Sequence, residues 1–201
     1  MNPAYTDKVV GILLAAGRGR RFDPTGKQSK LLQSLPDGAT VLGSAARNLS
    51  ATLPVYVICR SGAPALAAQL AKQVNGCTLL QCDDADEGMA ATLVYGLQQT
   101  AVAAGWVVAL GDMPYVQVST IKALTAALAQ GADIAVPICR GRRGNPVAFS
   151  RHHLSRLLQL RGDQGARSLL QSFPVVEVEV DDVGVFQDID TVADIPQSRA
   201  C

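Results

Sequence analysis

The segment Gly17–Lys30 reads GRGRRFDPTGKQSK, with three glycines, three arginines, two lysines and a single acid, Asp23. Glycine lets backbone N–H groups approach an anion closely, and a side chain such as Arg21 or Lys30 adds fixed positive charge against phosphate oxygens. Two familiar phosphate loops are excluded by spacing. A P-loop needs a glycine where Arg21 stands and a Ser or Thr where Gln28 follows Lys27. The dinucleotide fingerprint matches at Gly17 and Gly19 but has Phe22 in its third glycine position. What remains is a cationic, glycine-bearing loop suited to a small polyanion.

Charge elsewhere is segregated. Five of the 18 basic residues lie between Arg18 and Lys30, and seven arginines lie between Arg140 and Arg167. Acids gather at 83–87 and again from Glu177 to Asp194. Basic segments that meet suit a polyanion, and acids beside them suit a divalent cation; a patchy solvated surface is the plainer alternative. A net charge of +1 and 4% aromatic residues argue against nucleic-acid binding. The five cysteines are odd in number and lack C-x-x-C spacing, which predicts reduced thiols without a disulfide framework or structural zinc. The opening residues lack a secretory pattern and no apolar run approaches a membrane span, so a soluble cytoplasmic protein is expected.

The elements that must hold these residues alternate. Apolar runs KVVGILLA, PVYVICR, TLLQC, WVVAL and ADIAVPI read as buried strands. Helical patterns separate them at 40–50, 63–74, 87–104 and 118–129. That alternation predicts one domain over 1–201, a Rossmann-like three-layer α/β/α sandwich around a mostly parallel sheet. NPVAFS, an arginine-rich helical stretch, a half-exposed strand VVEVEV and a closing QDIDTVADI follow. Ligands of such sheets bind beyond the carboxyl ends of the strands, where both the cationic loop and GDMP, after WVVAL, leave their strands. Taken alone, Asp112 in GDMP could be only a turn former, and DIDTVADI a helix start capped by Thr191 or Asp190. His152 and His153 are adjacent, not at ligand spacing, and read as surface residues; Cys82 reads as a small buried residue.

Several stretches together resemble one family. LLAAGRGRRF with KLL resembles the L-A-A-G-x-G-x-R…K loop of nucleotidyltransferases acting on sugars and cofactors. DEGMAATLVYGL, GDMPYV, RGNPVAFS, GDQGARSLL and DIDTVADI follow in the family's order, spanning Leu14 to Ile195. The set looks most like the molybdenum cofactor cytidylyltransferases and their close relatives. The resemblance implies a Mg²⁺-dependent transfer of CMP from CTP to the phosphate of a molybdopterin-type cofactor, releasing pyrophosphate. It makes Arg21, Lys30 and Asp112 catalytic, with Leu14, Ala15, Ala16, Gly17, Arg18, Gly19, Gly88 and Thr92 completing the nucleotide site. Arg143, Gly144, Asn145, Pro146, Gly162, Asp163 and Arg167 would take the acceptor. Asp112 and Asp190 would hold the metal, Asp190 being favoured over Asp188. In this chain DPTGKQS adds residues before the lysine, leaving Lys27 as a rival to Lys30, and Asn145 stands where many relatives have histidine.

The base is the finer question. Guanine-using relatives read L-A-G-G where this chain reads LAAG, so the Ala16 methyl should crowd a purine and favour CTP. Cys82 replaces an asparagine and Thr92 a serine, which shifts base recognition to backbone groups near Ala15 and Gly88. Rival readings are a guanylyl- or uridylyltransferase with another phosphorylated acceptor, or a nucleotide-binding regulatory domain without turnover. The product would pass to a molybdoenzyme or its chaperone.

Overall fold

The computed structural model describes residues 8–162 and 166–196. Its first strand, β1 (Val9–Ala15), carries no polar side chain because both of its faces are covered. Ile12 and Leu13, pointing to opposite sides, are each fully buried in a different core cluster. Helix α1 (Val41–Ser50) follows, started by the Thr40 hydroxyl, which accepts the Gly43 N–H at 3.0 Å. Then come β2 (Val55–Arg60), α2 (Pro64–Gln73), β3 (Cys77–Cys82), α3 (Met89–Gln99), β4 (Gly105–Leu110), α4 (Val118–Ala129) and β5 (Ile134–Cys139). A short β6 (Arg142–Arg143), β7 (Val147–Ser150), α5 (Leu154–Leu157), α6 (Arg167–Ser172) and β8 (Val176–Glu179) complete the order.

One sheet runs β3-β2-β1-β4-β7-β5-β6, and β8 also pairs with β5. The strands β3, β2, β1 and β4 are mutually parallel, whereas β7 runs antiparallel between β4 and β5. This is the expected α/β sandwich with a mostly parallel sheet. On one face α1 and α4 bury Leu42, Leu49, Ile121 and Leu124; on the other α3 buries Leu93 and Leu97 near Trp106 and Phe149. The Trp106 indole N–H donates to the Thr100 hydroxyl at 2.9 Å, so a buried polar group is satisfied.

Some elements differ from their sequence patterns. Helix α3 begins two residues after Glu87 and ends at Gln99, because Gly88 turns the chain and Thr100 is drawn inward towards Trp106. The arginine-rich stretch breaks into single turns, and its His153 is buried edge-on against Phe173 rather than lying on the surface. In β8 only Val178 is even half-buried. Cys82 is buried, and Cys59, Cys77, Cys82 and Cys139 are free thiols. No described helix is long and apolar enough to cross a membrane.

Candidate functional site

Four parallel strands deliver their carboxyl ends to one cavity of about 540 Å³. From β1 come Leu14, Ala15, Ala16, Gly17, Arg18, Gly19, Arg20 and Arg21; Lys30 and Leu31 close the same loop. The loop is anchored midway by Phe22 and at its far end by Leu31, both buried in the core. Its one acid does not cancel the cations. Asp23 accepts from the Thr25 N–H and hydroxyl and from the Gln28 N–H at 2.7–2.8 Å, so it staples the turn internally. Among the described residues, no hydrogen bond uses the N–H groups of Gly17, Arg18, Gly19, Arg20 or Arg21. Five consecutive free donors beside arginines and a lysine make a loop that could cradle an anion.

Opposite the cradle stand the carboxylates. The Lys30 Nζ donates to Asp112 Oδ2 at 2.5 Å and to Asp190 Oδ1 at 3.1 Å, and Arg21 pairs with Asp190 Oδ2 at 2.6 Å. Burial opposes the charge on Lys30, but its bonds to Asp112 and then Asp190 outweigh that, and its pKa is raised. The rival lysine, Lys27, does not line the cavity. Asp112 Oδ1 is buried with no hydrogen-bond partner, a costly arrangement for a carboxylate oxygen. Two hard oxygen donors already bridged by one cation, with a third oxygen left over, fit a divalent metal. Asp188 is near as well: burial, then the charges of Asp190 and Asp112, push its carboxyl up. The alternation expected of an extended strand does not separate Asp188 from Asp190, because 187–190 is not a strand.

The two acid-bearing segments are tied together by a residue that sequence reasoning missed. The Asp112 carbonyl accepts the Ile189 N–H at 2.9 Å. Nearby, buried Asp182 accepts the Gln117 N–H, the Thr120 hydroxyl and the Gly184 N–H at 2.6–2.9 Å. Gly184 packs so closely on the Tyr115 carbonyl that a Cβ there would lie 2.2 Å from the oxygen. Asp182 falls in the acid-rich stretch from Glu177 to Asp194; it is buried with two distant donors, the Gln117 N–H and the Thr120 hydroxyl, and one local one, the Gly184 N–H. The DIDTVADI turn is real too, with Thr191 capping the single turn Val192–Asp194 just after Asp190.

At the far end of the cavity lie Arg60, Ala85, Asp86, Gly88, Met89 and Thr92. Gly88 adopts φ 112°, which a side chain would strain, and it opens α3 towards the cavity. Arg18 reaches this end, pairing with Asp86 rather than with Asp112 or Asp190. A second cavity of about 700 Å³ adjoins the first through Leu14, Met89 and Leu110, and contains Arg143, Gly144, Asn145 and Arg167 among apolar residues. Arg143 also pairs with Glu177 at 2.7 Å. Pro146 follows Asn145 through a cis peptide and lines neither of these cavities. Gly162 lines neither as well; its carbonyl accepts the Ala90 N–H at 3.0 Å, in the first turn of α3. Asp163 lies outside the described residues.

The sequence model of the MobA-like NTP transferase domain matches residues 11–179. The chain is 32% identical to the purine catabolism protein PucB of Bacillus subtilis (strain 168), covering 91% of this chain and 92% of that protein. It is 28% identical to the molybdenum cofactor guanylyltransferase of Cupriavidus pinatubonensis, covering 96% and 98%. Among solved structures, Rv0371c of Mycobacterium tuberculosis H37Rv matches with a TM-score of 0.81 and 30% identity, covering 94% and 95%. Its complex with manganese matches with a TM-score of 0.78 at 29% identity, covering 94% and 96%.

Proposed function

Because the chain belongs to the MobA-like NTP transferase family, and so is a nucleotidyltransferase, we propose that it transfers CMP from CTP to a molybdopterin-type phosphate, using Mg²⁺ and releasing pyrophosphate. One observation carries this reading: residues 17–21, whose five N–H groups make no hydrogen bond, line a cavity in which Lys30 already bridges Asp112 and Asp190. The cradle and Arg21 would bind the β- and γ-phosphates, and Lys30 would move from the carboxylates to the α-phosphate. An acceptor phosphate oxygen then bonds to the α-phosphorus as its bond to the bridging oxygen breaks, and pyrophosphate departs with that electron pair. Asp112 and Asp190 would hold the divalent cation, which would neutralise triphosphate charge when bound. Among the described residues no three His, Cys, Asp or Glu side chains could hold a metal alone, so phosphate oxygens and water would complete the shell. That Rv0371c forms a complex with manganese supports the use of a divalent metal.

The acceptor would enter through the second cavity, where Arg143 and Arg167 supply positive charge over an apolar floor. CTP is favoured because the buried Ala16 puts a methyl on the wall of the first cavity. Likeness to a guanylyltransferase makes GTP the competing donor. Pyrophosphate release measured with CTP, GTP and UTP, each with and without molybdopterin, tests the reading. Release from CTP that depends on molybdopterin supports it. Release from GTP alone overturns the cytidylyl assignment, and no release from any triphosphate overturns turnover itself.

A further inference from the structure

Three charged side chains that the transfer chemistry leaves unexplained meet at the rim of the first cavity, each from the end of a different parallel strand. Arg18 follows β1, Arg60 ends β2, and Asp86 lies just beyond β3. The Asp86 carboxylate accepts Arg18 Nε at 2.9 Å and Arg18 Nη2 at 2.5 Å, a two-pronged pair, and it also accepts Arg60 Nη1. Arg60 spends its other prong differently: Nη2 donates to the Ala16 carbonyl at 3.3 Å. Ala16 is where β1 becomes the cradle, immediately before the five free N–H groups.

We propose that Asp86 and Arg60 are positioning residues for the nucleotide, Asp86 aligning Arg60 on the Ala16 carbonyl and so fixing the peptide from which the cradle's donors fan out. This rests on the nucleotide-binding reading of the cavity given above. A guanidinium is a rigid planar fork, so anchoring one prong on a carboxylate orients the other. Arg18 and Arg60 would repel each other without the anion between them, and Arg60 would lose the direction that brings it to Ala16. The two arginines hold Asp86 at about 2, so the anion persists throughout the neutral range. The rival role has the opposite sign. If Asp86 merely competed with the triphosphate for Arg18, its removal would free a cation and tighten binding.

The test is calorimetric titration of the full chain with CTP and Mg²⁺, or with GTP if the wild type prefers it. Asp86→Asn and Arg60→Lys should each weaken nucleotide binding by roughly three- to fivefold, the upper range for exposed charge networks. Lysine keeps the charge but lacks the rigid planar fork through which the hold on Asp86 sets the direction towards Ala16. Asp86→Glu should recover most of the affinity, and the double variant Asp86→Asn/Arg60→Lys should bind no worse than the weaker single one. Thermal midpoints should stay at the wild-type value, separating positioning from folding; were Asp86→Asn unstable, Arg60→Lys alone would decide. Unchanged affinity in both single variants, tighter binding by Asp86→Asn, or fully multiplicative losses overturn the proposal. A wild type that binds no triphosphate overturns the functional reading instead.

Discussion

The two ends of the first cavity are built from the same residue types and behave differently. At one end Lys30, Asp112 and Asp190 lie largely out of solvent, with side chains 11%, 21% and 19% exposed. At the other, Arg18 and Asp86 are about half exposed, at 51% and 54%. Water screens the second set, so each pair there is worth roughly 0–1 kcal/mol. The first set has given up much of its hydration, and a partner removed from it leaves a charge that neither water nor protein satisfies. Lys30 and its two carboxylates therefore lie where charge is shielded, with Arg21, 79% exposed, reaching Asp190 from the solvent side; at the rim Arg60, 28% exposed, holds backbone in place. Position on the strand edges is shared; burial separates the Lys30 cluster from the Arg18–Asp86 pair.

The largest break in this contrast should come from Asp112→Asn. It removes the carboxylate with the unpartnered buried oxygen and should lower kcat by roughly 10²–10³-fold, the scale of losing a preorganised charge at a transition state. Circular dichroism should remain that of the wild type. Near-normal turnover, or full wild-type activity in excess chelator, would remove the metal from the mechanism. Asp182→Ala should act through stability instead. Three donors, on Gln117, Thr120 and Gly184, lose their acceptor, at a cost of about 3–5 kcal/mol. A thermal midpoint lower by roughly 10 °C would follow for a domain of this size. A midpoint within a degree or two of the wild type would mean that the Asp190 segment is positioned by something else.

Which of these residues the sequence exposes follows from how local their causes are. Strand runs and the helix 118–129 were readable because they are packed by their own periodicity, and α4 has those bounds. The cationic loop and GDMP were readable because unusual residues cluster within a few positions. Arg60 and Asp86 were not, since they meet each other, Arg18 and Ala16 across 26 to 68 residues of chain and no local pattern encodes that meeting. His153 was misread, and Asp182 passed over, for a related reason: polar residue types suggest solvent, and only tertiary partners bury them. On the acceptor side, the resemblance singled out Arg143 and Arg167 among the seven arginines from Arg140 to Arg167, and these two line the second cavity, whereas Pro146 and Gly162 line neither cavity.

A smaller effect probes the exposed end through the base. Ala16→Gly removes one methyl from the cavity wall and leaves the carbonyl that Arg60 holds. Relief of that crowding should shift the ratio of kcat/KM for CTP over GTP by about fivefold towards GTP, equivalent to about 1 kcal/mol. The comparison needs both nucleotides on both proteins, because a uniform loss would report only a loosened loop. A ratio that does not move means that Ala16 does not choose the base.

The smallest effect sharpens the contrast most directly, since it uses salt to ask which charges water can reach. The screening length is about 10 Å at 0.1 M and about 3 Å at 1 M ionic strength, and it acts through solvent. All nucleotide binding will weaken with salt, so the informative quantity is the affinity of a variant relative to wild type at each concentration. For Asp86→Asn that ratio should close from roughly threefold at 50 mM NaCl towards unity at 0.5 M, because the interactions lost are already exposed. For Lys30→Ala the ratio should hold nearly constant over the same range, because Lys30 meets its partners out of solvent. Magnesium is kept fixed throughout so that only monovalent screening changes. Parallel closure of both ratios would mean that the buried end is as wet as the rim, and the division of labour between the two ends would fail.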